Sequence, residues 1–284
     1  MDFFPDIVDL KPEQFRRFSE LVFQKAGITM KENKITLLSN RLRRRMKELR
    51  MTDFDEYYRL LTSAEGNSEL PEFLEAVTTN ESYFWRTTVH FDLIKNRLLP
   101  DLIARYPGKK LGFYSAGCST GEEPYNLAIE LVESMKVNGV FDFEILAVDI
   151  SKRVIDSAKA GRYFGRKIER IPPAILNRYF RQDTEKPDHF RVRDDIRNRV
   201  QFVNANLFLY KPAAPVHCVI CRNVMIYFDR PTQEKLIDRF YEFLVPGGYL
   251  IVGHAESLHS LKTRFSHISF EEGTVYRRPL ENGS

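Results

Sequence analysis

A doubly wound α/β domain preceded by a small helical one is the fold this sequence predicts, on three observations. Residues 111–135, LGFYSAGCSTGEEPYNLAIELVESM, read as a buried strand, a tight glycine turn and a helix opening on two acids and a proline. After residue 110 the chain alternates strands with helices, the signature of a parallel sheet. Up to about residue 80 the apolar residues instead recur at helical spacing.

The elements follow in chain order. Pro12 with Phe15, Phe18, Leu21 and Val22 predicts a first helix stopping near Gly27. In KENKITLLSNRLRRRMKELRM, Ile35, Leu38, Leu42, Met46 and Leu49 form an apolar stripe, while Arg41, Arg43, Arg44, Arg45 and Lys47 make the helix strongly cationic. Thr52 with Asp55 resembles a capping box for a third helix over DFDEYYRLL, and ELPEFLEAV predicts a fourth. Residues 1–80 are therefore expected to form a helical domain, 81–110 a linker with the first helix of the next domain, and 111–284 the α/β domain.

Within that domain Leu111, Phe113, Tyr114 and Ala116 start the first strand; Gly117 and Gly121 permit close approach or backbone angles that a side chain forbids. Pro124 suits a first helical turn, and Leu127, Ile129, Leu131 and Val132 contribute to that helix's apolar side. FEILAVDI, VQFVNANL, PVHCVICRN and GGYLIVGHAE read as further strands, SKRVIDSAKAG and PTQEKLIDRFYEFL as helices, and ISFEEGTVYRR as a closing hairpin. Residues from roughly 172 to 202 fit no βα unit; the alternation in HFRVRDDIRNRVQF suggests a small antiparallel insertion. The final ENGS is expected to be a disordered end.

Composition narrows the class. A hydrophobic content of 43% suffices for a core, and no apolar run approaches the ~18 residues of a membrane span. MDFFPDIVDLK lacks the basic region and apolar core of a signal peptide, so a cytoplasmic protein is expected. Three cysteines supply no disulfide framework. Cys218 and Cys221 form a C-x-x-C inside an apolar strand, where residues three apart face opposite ways, and no second pair completes a metal site. The six histidines (90, 189, 217, 254, 259, 267) show no ligand spacing, so no metal is expected. Residues 1–50 hold 12 Lys/Arg against 7 Asp/Glu, a basic surplus that draws acidic partners.

The turn at 117–121 lacks G-x-G-x-x-G, which disfavours a dinucleotide, and lacks a phosphate-binding lysine, since Glu122 and Glu123 stand in its place. Acids at the mouth of the turn suit a ligand carrying positive charge. Asp149, ending the second strand, is placed to accept hydrogen bonds from ribose hydroxyls or to cap the helix starting at Ser151. A nucleoside with a cationic group points to S-adenosylmethionine.

TTNESYFWR (78–86), SAGCSTGEEPY (115–125) and CRNVMIYF (221–228) resemble signature segments of the chemotaxis receptor glutamate methyltransferases, the CheR family. The resemblance covers nearly the whole chain. It implies a Rossmann-like S-adenosylmethionine-dependent methyltransferase domain with an inserted antiparallel β-subdomain, behind an N-terminal α-helical domain. It also implies methyl-ester formation on glutamates of the helical cytoplasmic part of chemoreceptors, in sensory adaptation. By motif position the cofactor contacts are Asn80, Ser82, Arg86, Glu123, Asp149, Asn206, Leu207, Arg222 and Asn223, and Gly117 lies in the glycine turn beside them. Arg86 and Tyr227 match the positions that matter for the transfer. Ser82 replaces a common threonine and keeps the hydroxyl; Cys118 occupies a position where small residues vary.

The residue chemistry is compatible. A glutamate carboxylate is already an anion at neutral pH, so the enzyme's task is alignment and shedding of water. An arginine fork can orient a carboxylate, and a tyrosine hydroxyl can fix its second oxygen; Arg86 and Tyr227 are the natural pair. Arg86 could equally grip the cofactor's own carboxylate. The cationic helix, through Arg41, Arg43, Arg44, Arg45 and Lys47, is the candidate receptor-docking surface, and the β-insertion a candidate site for a receptor C-terminal peptide. A monomer recruited to membrane receptor arrays is expected. A nucleic-acid methyltransferase gripping phosphates with the same helix, or a non-catalytic cofactor sensor, is the alternative reading. The fourth strand ends in RNVMIYF rather than the Asn/Asp-Pro-Pro-aromatic motif of many nucleic-acid amino-methyltransferases, and Arg86, Asp149 and Tyr227 argue against a dead site.

Overall fold

A computed structural model describes residues 9–78 and 81–280. The chain divides into two compact units: an N-terminal helical one, with which Tyr227–Asp229 are grouped, and a larger one containing nearly everything after residue 80.

The helical unit comprises α1 (Pro12–Ala26), α2 (Ile35–Glu48), α3 (Phe54–Thr62) and α4 (Glu69–Val77). The predicted apolar stripes form its core, with Phe18, Leu38, Leu42, Met46, Tyr57 and Phe73 all fully buried. Phe18 sits amid Phe54, Tyr57, Tyr58 and Phe73, with ring centroids 5.4 to 6.2 Å away and edge-on or tilted orientations. α1 ends where Gly27 turns left-handed (φ 73°) and returns its N–H to the Phe23 carbonyl. The capping of α3 differs from the expectation. Asp53, not Thr52, is the N-cap, its carboxylate accepting the Asp55 N–H at 2.7 Å. Asp55 turns away instead to accept from Gln14 and Arg17 of α1. A short aspartate side chain reaches the first free N–H groups of a helix well, which releases Asp55 to tie two helices together.

The larger unit is built on a seven-stranded sheet. Its strands are β1 (Leu111–Ala116), β2 (Phe143–Asp149), β6 (Val200–Asn204), β7 (Val216–Cys221), β8 (Leu244–Val252), β9 (Ser266–Phe270) and β10 (Gly273–Arg277). The spatial order is β6-β2-β1-β7-β8-β10-β9. The first five run parallel, and the β9–β10 hairpin closes one edge antiparallel. β1 and β7 are buried along their whole length, which explains their continuous apolar sequences. From β1 the chain moves outward through β2 to β6, then returns to lay β7 on the other side of β1. The strand order therefore reverses between β1 and β7, and open α/β sheets bind ligands in the crevice outside the carboxyl ends of such a pair.

Helices α5 (Thr88–Leu93), α6 (Leu99–Arg105), α7 (Glu122–Asn138), α8 (Lys152–Ala160), α9 (Pro173–Tyr179), α10 (Asp194–Arg197) and α11 (Arg230–Phe243) complete the unit, with one wide π turn at Ile94–Leu98. The inserted antiparallel sheet has the order β3-β5-β4, from β3 (Arg162–Phe164), β4 (Phe180–Gln182) and β5 (His189–Val192). It begins directly after α8, earlier than the expected residue 172, and ends before Val200 rejoins the main sheet as β6. Arg162–Phe164 is too short to show alternation by itself. Phe84 clamps this sheet to the main core, lying edge-on to Tyr163 at 4.9 Å and Phe180 at 5.3 Å.

Cys118, Cys218 and Cys221 are all free thiols at 0–1% exposure. Among the described residues no group of His, Cys, Asp and Glu is arranged to hold a metal, and no helix is long and apolar enough to cross a membrane. The final ENGS lies outside the described residues.

Candidate active site

The main chain that links the strands to the following helices assembles the site at the carboxyl ends of β1, β2, β6 and β7. After β1, the N–H groups of Gly117 and Cys118 both donate to the Val148 carbonyl, at 2.8 and 3.0 Å, locking the turn to the end of β2. Gly117 adopts φ 73°, and a Cβ there would stand 2.5 Å from Val224 Cγ2. Only glycine satisfies both the backbone angle and the close approach of the loop after β7.

Asp149 ends β2 and is 7% exposed. Its two oxygens accept the N–H groups of Ser119 at 2.8 Å and Ser151 at 3.0 Å. It thus couples the glycine turn to the start of α8, and a carboxylate with about four lone-pair sites keeps acceptor capacity beyond these backbone donors. Burial raises its pKa, an effect opposed by the backbone N–H groups of Ser151, Ser119 and Ile150. The ribose and capping readings of Asp149 are therefore compatible, because Ser151 N–H occupies only part of the carboxylate.

The adjacent acids at the start of α7 are each engaged. The Glu123 carboxylate accepts from Ser115 Oγ at 2.8 Å and pairs with Arg222 Nη1 at 3.2 Å. Burial pushes the Glu123 pKa up, with Arg222 pulling it down. Burial lowers that of Arg222, with Glu123 raising it. Glu122 is fully buried and pairs with Lys167 at 2.5 Å, while Thr120 Oγ1 donates to its carboxylate at 2.7 and 2.8 Å. Tyr163, in β3, donates to the Thr120 carbonyl at 2.6 Å. Glu122 is therefore not an open negative charge at the mouth of the turn: a lysine 45 residues later in the sequence neutralises it, a partner that spacing along the chain does not reveal. Glu123 is the acid that faces the other candidate residues.

Arg222, at the end of β7, also donates through Nη2 to the Arg86 carbonyl, and its guanidinium lies 5.4 Å from the Phe91 ring centre. Its Nε is buried without a partner. The turn that presents Arg86 is unusual, with Trp85 and Thr87 both left-handed (φ 57° and 59°). Three bonds hold it: Phe84 N–H to the Lys167 carbonyl at 3.0 Å, Trp85 N–H to Asn126 Oδ1 at 2.7 Å, and Arg222 to Arg86. Arg86 Nη1 donates to the Glu81 carbonyl at 3.0 Å. Asn126 in α7 was not singled out in the sequence. Its position among Tyr125, Leu127, Ala128 and Ile129, on the side of α7 that is buried, is the signal the sequence offers.

The remaining candidates divide. Asn206 follows β6 and caps its own turn, with Oδ1 accepting the Phe208 N–H at 2.8 Å. Leu207 is buried beside it at 9% exposure. Asn223 is left-handed (φ 61°), and Ser82 is half-buried just before the Arg86 turn. Asn80 lies outside the described residues. Tyr227 ends a single 3₁₀ turn, Met225–Tyr227, and its carbonyl accepts the Thr29 N–H at 2.8 Å within the helical unit's grouping.

The basic helix α2 also sorts itself. Arg45 makes a two-pronged contact with the buried Glu69 carboxylate at 2.8 and 2.6 Å, which Tyr57 joins at 2.8 Å. Arg41 donates to the Val77 carbonyl, and Arg43 pairs with Asp9 at 2.7 Å. Arg44 and Lys47 are exposed, one turn apart.

A family model described as the CheR methyltransferase SAM-binding domain matches residues 80–274, and one described as the CheR methyltransferase all-alpha domain matches residues 13–78. The chain belongs to the CheR methyltransferase family. Among similar proteins is the chemotaxis protein methyltransferase of Escherichia coli K12, 36% identical over 260 residues, covering 90% of this chain and 88% of the relative. That of Borreliella burgdorferi is 34% identical, covering 90% and 92%. The chemotaxis protein methyltransferase 1 of Pseudomonas aeruginosa is 35% identical over 274 residues, covering 93% and 96%. The reversing parallel sheet and the preceding helical unit agree with the expected Rossmann-like methyltransferase fold, and S-adenosylmethionine is the family's cofactor.

Proposed function

We propose that this CheR-family protein methylates glutamate side-chain carboxylates on the cytoplasmic helices of chemoreceptors, forming methyl esters. The observation that carries this reading is the placement of Arg86 beside the buried Arg222–Glu123 pair, at the carboxyl edge of a sheet whose strand order reverses there.

The pocket residues fit the cofactor. S-adenosylmethionine supplies, when bound, an electrophilic methyl group on a positively charged sulfur. Asp149 retains acceptor capacity suited to ribose hydroxyls, and Glu123 supplies negative charge where a cationic amino acid moiety would lie. Arg222 neutralises part of that charge and keeps an unused buried Nε–H. Ser82, Asn80, Asn206, Leu207, Asn223 and the Gly117 main chain complete the proposed contacts by motif position.

An incoming glutamate arrives ionised and requires no general base. Arg86 offers a planar donor fork that can fix a carboxylate's orientation, and the Tyr227 hydroxyl is proposed as the second contact. Receptor docking is assigned to α2, chiefly through Arg44 and Lys47 with Arg43 at their side, since acidic receptor helices would meet exposed cations there. Such docking would bring the enzyme to membrane receptor arrays.

Incubation with a receptor cytoplasmic fragment and methyl-tritiated cofactor tests the proposal. Radioactivity on the receptor that is released as methanol by mild base is expected, because carboxyl esters hydrolyse under those conditions. Base-stable label, or label in added nucleic acid, would overturn it.

A further inference from the structure

Beyond the residues of the family motifs, one carboxylate organises the loop that follows β7. Glu256 lies in the turn after β8 and is 7% exposed. Its Oε2 accepts the N–H groups of Asn223 at 2.7 Å and Gly253 at 2.8 Å. Its Oε1 accepts those of Val224 at 2.9 Å and Ile226 at 3.1 Å. Four backbone donors thus converge on one buried carboxylate and satisfy its hydrogen bonding, while the Arg222 guanidinium is near enough for its charge to interact favourably.

Three of the four donors belong to the loop that starts at Arg222. Asn223 is held there in the left-handed region, which asparagine tolerates better than most residues. Val224, fixed by Oε1, is the residue whose methyl group packs where a Gly117 side chain would stand. The same carboxylate therefore sets both the conformation of Asn223 and the distance between the loop and the glycine turn.

We propose that Glu256 is a positioning residue for the methyl-donor pocket, acting through the backbone of Asn223 and Val224 rather than by contact with ligand. This rests on the cofactor assignment above. A glutamine at 256 keeps the length but turns an amide NH₂ toward two N–H donors, so at least one bond is replaced by repulsion.

The test is calorimetric titration of the parent and Glu256→Gln with S-adenosylhomocysteine, alongside KM and kcat with receptor fragment. In Glu256→Gln the dissociation constant should rise about tenfold, the loss of one charge-assisted bond, with one-to-one stoichiometry and an unchanged receptor KM. A rise of less than about threefold, roughly half that loss on a logarithmic scale, overturns the proposal. So does reduced stoichiometry at parental affinity, which marks a purely structural role. If Glu256→Gln fails to fold, Gly253→Ala serves, because its Cβ would meet Glu256 Oε2 at 2.5 Å and displace the carboxylate while keeping its charge. Weaker binding is again expected, and parental affinity overturns the idea. A parent that binds no S-adenosylhomocysteine would instead refute the cofactor assignment, so the two failures are distinguishable.

Discussion

Arg222 and Glu123 form a buried ion pair at 3.2 Å, joining the end of β7 to the first turn of α7 across the point where the strand order reverses. Removing one member of such a pair leaves an uncompensated charge in a dry site, at a cost of about 3 kcal/mol or more. Arg222→Met should therefore lower stability by that order in urea denaturation and abolish cofactor binding. The double variant Arg222→Met with Glu123→Gln should recover much of the stability and none of the binding.

The two acids of the pocket also predict a pH response. Burial raises the pKa of both Glu123 and Asp149. A carboxyl whose folded pKa exceeds its unfolded value contributes stability below the ordinary carboxylate range and loses it as pH rises through the raised value. Binding of a cationic ligand runs the other way, because it needs the charged form. S-adenosylmethionine affinity should climb as pH rises through the interval just above ordinary carboxylate titration, then level off. Calorimetry across that interval checks the direction, and Glu123→Gln should flatten part of the climb.

His90 supplies an acid-side stability prediction. It is buried in α5, its ring centre 4.9 Å from that of His254, and burial with the nearby Arg222 and His254 lowers its pKa to about 3. A histidine with a depressed folded pKa contributes stability above its unfolded pKa, which is lost as pH falls from 6.5 toward 3. Its contribution to the slope approaches about 1.4 kcal/mol per pH unit. Urea midpoints measured between pH 7 and 5 should show the decline, and His90→Gln should reduce it.

Charge changes on α2 should separate docking from folding. Arg44→Glu with Lys47→Glu alters exposed cations, so receptor KM should rise several-fold while stability and cofactor affinity hold. Arg45→Ala strips the buried Glu69 of its two-pronged partner and should cost about 3 kcal/mol in the thermal or urea unfolding of the helical unit. An unchanged receptor KM in the double reversal would remove the docking role.

Much of this was legible in the sequence because it depends on local pattern. Apolar spacing located α1 to α4, and the run from Leu111 to Met135 announced β1, the glycine turn and α7. Motif positions named Asp149 at the end of β2, Glu123 in the first turn of α7 and Arg222 just after β7, of which the fold pairs Glu123 with Arg222. What escaped were partnerships between distant residues. Lys167 neutralising Glu122, Arg45 committed to Glu69, Asn126 holding the Trp85 N–H and Glu256 collecting four N–H groups all join residues whose proximity depends on tertiary packing. The start of the small sheet before residue 172 escapes the sequence because its first strand has only three residues, too few to show alternation, and only pairing with β5 defines it.

The three thiols have a practical consequence. Cys118, Cys218 and Cys221 line the interior of the larger unit, and burial raises the pKa of each. Only the thiolate reacts with alkylating reagents, so each sulfur stays silent until the surrounding strands part. Mass-spectrometric labelling of these sulfurs under native conditions would thus time the rare openings of the sheet's centre, and tightly bound ligand should slow that clock in proportion to the population it protects.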